Sequence, residues 1–154
     1  MNITLYTDGS CFGNPGPGGY GLVLEYGEYR IIDAQEFMHT TNNRMELMAV
    51  IVGLNKIKER HIPVTVISDS EYVVKGATEW LQGWKNKGWK NSRLEPIRNK
   101  DLWECLDEML GTFREIRFEW IKSHDGHYWN EYCDELAREA AGIAKEKSES
   151  LVNG

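Results

Sequence analysis

The residues able to do chemistry are dominated by acids. Asp8 and Asp69 each close a β-like run, while Glu46 and Asp134 each stand near the start of a helical one. In an open α/β sheet the carboxyl ends of parallel neighbours form the ligand crevice, so Asp8 and Asp69 are predicted on one rim. Glu46 is placed in the first turn of its helix, in register with Val50, Gly53 and Ile57, a stripe that packs towards the sheet. A carboxylate there is costly without a partner. Asp134 precedes Leu136, Ala137, Ala140 and Ala141 and can reach the same rim. Singly, each acid has an ordinary reading: a turn at Asp8-Gly9, a dipole-complementing Glu46, a helix cap at Asp69-Ser70. Together they demand a counter-ion, because carboxylates about 4 Å apart repel by about 4 kcal/mol per pair at an effective dielectric of about 20. Oxygen donors without His or Cys point to Mg²⁺ or Mn²⁺ rather than zinc.

Three further features accompany the acids. From residue 80 to residue 100 the chain holds Lys85, Lys87, Lys90, Arg93, Arg98 and Lys100 against Glu95 alone, a local excess of +5 in a chain of net charge -6. Trp80, Trp84 and Trp89 interleave with these cations, a mixture suited to phosphates and to the flat faces of bases or sugars, with a solvated face and core packing as the alternative reading. His124 and His127 lie in a polar loop, structural by default and able to carry protons beside a metal cluster. Residues 16–21 satisfy G-x-G-x-x-G, but a strand-like Leu22-Val23-Leu24 follows where a dinucleotide site needs a helix. These glycines are read as room for close backbone approach to another ligand.

The elements that must position these groups follow from periodicity. Residues 2–7 alternate as a strand; residues 9–21, with six glycines and two prolines, read as a constrained loop; residues 20–26 and 29–38 form a hairpin about Gly27-Glu28. Caps at Thr40 to Asn43 open a helix reaching about Arg60, and Pro63 precedes a buried strand over 64–67, parallel to one of the first three. Residues 71–84 read as broken helix, 99–110 as another, 113–122 as a last strand, and 130–147 as a closing helix. The expected fold class is α/β, a mixed sheet with helices on its faces, in the order βββαβα(α)βα.

With 154 residues, 41% hydrophobic and 27% charged, the composition fits one globular domain and excludes wholesale disorder, collagen-like repeats and coiled coils. No apolar run approaches the roughly 18 residues of a membrane span, and no leader pattern opens the chain. Three widely spaced cysteines without C-x-x-C signal neither a disulfide framework nor zinc, and fit reduced thiols in a cytoplasmic protein. The domain is expected over residues 1–145, with 146–154 as a frayed tail.

Five collinear motifs carry a resemblance to bacterial ribonuclease HI. They are Tyr6-Thr7-Asp8-Gly9-Ser10-Cys11, the Gly13 to Gly21 loop, Thr40-Thr41-Asn42-Asn43-Arg44-Met45-Glu46-Leu47, Ser68-Asp69-Ser70, and Asn130-Glu131-Tyr132-Cys133-Asp134-Glu135-Leu136-Ala137. The resemblance implies an RNase H-like fold with a five-stranded mixed sheet. It implies an endonuclease that cuts the RNA strand of RNA/DNA hybrids with two Mg²⁺ or Mn²⁺ ions held by Asp8, Glu46, Asp69 and Asp134. His124 matches a histidine assisting proton transfer or product release. By the same likeness Cys11, Asn14, Asn42 and Glu71 face RNA 2′-hydroxyls, Tyr72, Trp84 and Ser92 a channel for the DNA strand, and Thr41 and Asn99 a DNA-phosphate pocket. Trp80, Lys85, Lys87 and Lys90 fall in the family's basic handle. Departures from the pattern are His39 where the pocket has an arginine, Glu71 for glutamine, Ser123 and Asp125 flanking the histidine, and Tyr128-Trp129 for Pro-Glu. A monomer without an obligate protein partner or membrane is expected. The alternatives are a non-catalytic hybrid-binding module and a DNA-directed nuclease of the same superfold.

Overall fold

Three antiparallel strands open the chain: β1 Ile3–Cys11, β2 Gly16–Tyr26 and β3 Tyr29–Thr40, the last two joined at Gly27-Glu28. The computed structural model describes residues 1–153. Helix α1 (Asn42–Asn55) follows, its first turn closed by the Thr41 hydroxyl, which accepts the Arg44 N–H. Then come β4 (Val64–Ser68), α2 (Glu71–Lys75), a π-helical turn Gly76–Trp80, α3 (Leu81–Asn86), α4 (Lys100–Leu110), β5 (Ile116–Trp120) and α5 (Tyr128–Asn153). The sheet order is β3-β2-β1-β4-β5, with β4 parallel to both β1 and β5. The helical crossovers on either side of β4 make that direction possible.

Leu5, Leu22 and Leu24 pack on one face with Leu47, Val50 and Leu54 of α1 and with Leu102, Trp103 and Leu106 of α4. The other face is covered by the alanines of α5, and the glycines of β2 let it come close. A Cβ at Gly19 would lie 2.5 Å from Ala140 Cβ, and one at Gly21 2.6 Å from Leu136 Cβ. No helix among the described residues is long and apolar enough to cross a membrane.

Several expected boundaries move. β1 runs on to Cys11 and β2 begins at Gly16, so the constrained loop shrinks to residues 12–15 and Asp8 lies inside a strand instead of ending one. The glycines that look like a loop are strand residues selected by the pressure of α5. Helix α1 stops at Asn55, where the Lys56 N–H closes back on Gly53 and Leu54, and because its first helical residue is Asn42, capped by Thr41, Glu46 falls in the second helical turn. β5 is shorter than the alternation suggests, because Phe113 is already turned into the core beneath the Arg60 guanidinium. The closing helix starts at Tyr128 and extends to Asn153, through the segment expected to fray. Its distal part is fastened to the β-layer by Lys147 Nζ on Glu36 at 2.9 Å and by Lys145 over the Phe12 ring.

Candidate active site

Asp8 on β1, Glu46 on α1 and Asp69 just after β4 each bring a carboxylate oxygen within 4.8 Å of the others. Gly9 makes that convergence possible, since a Cβ there would lie 2.6 Å from the Glu46 amide nitrogen, so β1 and α1 touch backbone to backbone beside the acids. Asp8 and Glu46 are each 4% exposed. Burial pushes the Glu46 carboxyl well above the usual carboxylate range, and the neighbouring Asp8 and Asp69 charges push it further. Burial raises Asp8 as well, with repulsion from Asp69 and Asp134 added, against the close approach of the Glu46 carboxyl and the Gly9 N–H donated to Asp8 Oδ1 at 2.9 Å. Glu46 Oε2 is fully buried and has no hydrogen-bond partner among the described residues. An orphaned carboxylate oxygen facing two more carboxylates fits a hard divalent cation.

Asp134 stands outside that triple. Its Oδ2 accepts from Arg138 Nε at 3.0 Å, one turn along α5, although its charge is felt at Asp8. The histidine loop between β5 and α5 carries His124 exposed, with left-handed backbone at φ 56°. Ser123, immediately before it, donates its hydroxyl to Asp69 Oδ2, and Trp120 Nε1 donates to the Asp69 carbonyl at 3.0 Å. Sequence reasoning noted Ser123 only as a departure and gave it no contact, since a loop hydroxyl has no periodicity to betray its target.

Comparison with known proteins places these acids in a family context. A family model for RNase H matches residues 1–142. The chain belongs to the RNase H family. A ribonuclease H of Aeromonas hydrophila is 54% identical over 139 residues, which span 90% of this chain and 89% of that relative. Among solved structures, LC9-RNase H1, a type 1 RNase H with the type 2 active-site motif, superposes with a TM-score of 0.82 at 34% identity, covering 92% of this chain and 72% of the other. LC11-RNase H1, solved in complex with an RNA/DNA hybrid, matches with a TM-score of 0.68 at 26% identity over 93% of this chain and 99% of the other.

Within this RNase H fold the remaining candidates fall into three groups. Asn14 and Asn42 meet, the Asn42 N–H donating to Asn14 Oδ1 at 2.8 Å, and the Cys11 thiol lies 3.4 Å from the Thr40 carbonyl, whereas Glu71 is exposed and paired with Lys75 at 3.3 Å. A second group surrounds a cavity of about 330 Å³ lined by Asn14, Pro15, Thr41, Asn43, Arg98 and Asn99. His39 is exposed on β3 and is not in its wall; Arg98, which the sequence reading counted only as charge, is. Asn99 is fixed in a left-handed conformation by Arg44 Nη1, which donates to its Oδ1 at 3.3 Å, and by its own Nδ2, which donates to the Tyr72 hydroxyl at 3.0 Å.

The third group is the handle. Trp80, Trp84, Lys87, Lys90 and Ser92 line a cavity of about 490 Å³. Lys85 does not, because its ammonium is turned to Asp107 of α4 at 3.3 Å. Trp89 packs against the core, and Tyr72, Trp80, Trp84 and Trp103 form a closed aromatic cluster in which each ring meets two others, with centroids 5.1 to 6.3 Å apart.

Proposed function

We propose that this chain is a metal-dependent endoribonuclease that hydrolyses the RNA strand of RNA/DNA hybrids, leaving 5′-phosphate and 3′-hydroxyl ends. The observation that carries the reading is the meeting of buried Asp8 and Glu46 with half-buried Asp69, one Glu46 oxygen having no partner among the described residues. Asp8, Glu46 and Asp69, joined by Asp134, would hold two Mg²⁺ ions, with Mn²⁺ able to take their place. Such ions supply the positive charge that stabilises both the attacking and the leaving oxygen of an in-line displacement at phosphorus. The chain's own contribution is to keep Asp8, Glu46 and Asp69 close enough that a divalent cation would relieve their mutual repulsion, with Asp134 nearby on α5. His124, on an exposed polar loop, is suited to passing a proton to or from solvent as the 3′-oxygen leaves.

Substrate recognition divides along the three groups. Asn14 and Asn42 with Cys11 and Glu71 are assigned to the RNA 2′-hydroxyls, the group that separates RNA from DNA. Thr41, Asn99 and Arg98 are assigned to one DNA phosphate. Arg98 has no carboxylate partner among the described residues, no acid lines the cavity, and Asn99 keeps one amide hydrogen free after bonding Tyr72. His39, exposed on β3 outside the cavity wall, is left with a lesser part in phosphate binding. Trp80, Trp84, Lys87, Lys90 and Ser92 offer the DNA strand aromatic faces and cations. The enzyme is proposed to work as a cytoplasmic monomer through one domain, residues 1–145. A hybrid labelled on either strand, incubated with Mg²⁺ and with EDTA, tests this. RNA cleavage that EDTA stops, with the DNA strand intact, is expected; binding without cleavage leaves a hybrid-binding module, and equal cutting of DNA/DNA leaves a DNA-directed nuclease.

A further inference from the structure

We propose that Ser123 is a positioning residue: its hydroxyl holds the Asp69 carboxylate towards Asp8 and Glu46 and ties it to the His124 loop. The inference rests on the reading of those three acids as metal-holding and adds a residue to it.

The acids differ in what steadies them. Asp8 is buried and receives the Gly9 N–H, Glu46 is enclosed by α1 and β1, and Asp134 is braced by Arg138. Asp69 sits past the end of β4 and is only partly buried, so repulsion from its neighbours is free to rotate it outward. Ser123 is the side chain that meets it, donating to Oδ2 from just past the matching end of the neighbouring parallel strand β5. That donor is itself registered. The Ile121 N–H donates to the Ser68 carbonyl at 3.0 Å, and Trp120 Nε1 to the Asp69 carbonyl at 3.0 Å, so three bonds lace the start of the histidine loop to the 68–69 corner. His124 is the next residue, in a left-handed conformation that turns the chain sharply just after the lace. Moving Asp69 therefore moves the histidine loop, and ordering one orders the other. A hydrogen bond to an outer oxygen of a ligating carboxylate fixes its orientation while the other oxygen remains available, which is how partners one layer out tune a metal site.

The full chain carrying Ser123→Ala, Ser123→Gly or Ser123→Thr tests this with two readouts. Stripped of metal and titrated with Mn²⁺ followed by electron paramagnetic resonance, Ser123→Ala and Ser123→Gly should bind about tenfold more weakly than wild type, and Ser123→Thr, which restores the hydroxyl, should return to near wild-type affinity. In hybrid cleavage at saturating metal the Ala and Gly variants should lose kcat while KM for the hybrid stays unchanged. Wild-type Mn²⁺ affinity in Ser123→Ala overturns the inference and leaves the metal reading standing. Absence of Mn²⁺ binding in the wild-type protein overturns both. Ser123→Thr as weak as Ser123→Ala also overturns the inference, because the hydroxyl would then not be the active feature.

Discussion

At the scale of residues, the acids divide the labour unequally. Asp8 joins the triple from inside a strand and Asp69 from a strand end, so Asp8→Asn and Asp69→Asn should each abolish hybrid cleavage, by at least about a thousandfold in kcat, while metal-independent binding of the hybrid persists; retained cleavage in gel assays would refute the assigned centre. The phosphate cavity makes a second, sharper contrast. Arg98→Ala should raise KM several-fold with kcat nearly unchanged, and His39→Ala should do so less, because Arg98 is in the wall and His39 is not; steady-state kinetics on one hybrid decides between them. The acids themselves were legible as a set, although T-D-G-S, which has the composition of a strand meeting a polar turn, lies inside β1, and only S-D-S marks a strand end. Arg98 and Ser123 were not, because nothing in the spacing of an exposed arginine or a loop hydroxyl says which distant atom it faces. Lys85 was legible as a charge and misleading as a contact: only the fold brings Asp107 within its reach.

At the scale of elements, the sheet and its helices could be read from periodicity, whereas their ends could not. β2 begins in a Gly-rich stretch that has loop composition and yet pairs with both β1 and β3, because α5 lies so close that side chains are excluded. Propensity was overruled there by packing. The handle shows the converse, a segment whose charge pattern was visible and whose internal division was hidden. Replacing Lys87 and Lys90 together with Ala should raise KM and flatten the dependence of binding on salt by about two units of slope, while Lys85→Ala, which breaks a bond to α4, should leave that slope nearly unchanged. Binding isotherms over a salt series measure both.

At the scale of the whole molecule, function and stability pull against each other at the acid centre. Asp8 and Glu46 take up protons more readily in the fold than in the unfolded chain, so the stability they contribute is complete below the ordinary carboxylate range and is lost as pH rises through their raised values, which for Asp8 reach about 8. Metal-free protein should therefore melt at a lower temperature at about pH 8.5 than at about pH 5.5, and saturating Mg²⁺ should raise the melting temperature far more at the higher pH. Calorimetric scans with and without EDTA measure this; a metal-free Tm that is flat across that range would mean that the acids ionise without strain. The aromatic cluster of Tyr72, Trp80, Trp84 and Trp103 has its own consequence, since it joins Trp80 and Trp84 in the wall of the handle cavity to the buried Trp103 of the core. Indoles this close exchange excitation, so light absorbed at the buried end is emitted or extinguished at the open one. A nucleobase stacking on Trp80 or Trp84 would dim the whole cluster at once, and the unlabelled protein would thereby report occupancy of its own groove as a loss of ultraviolet emission.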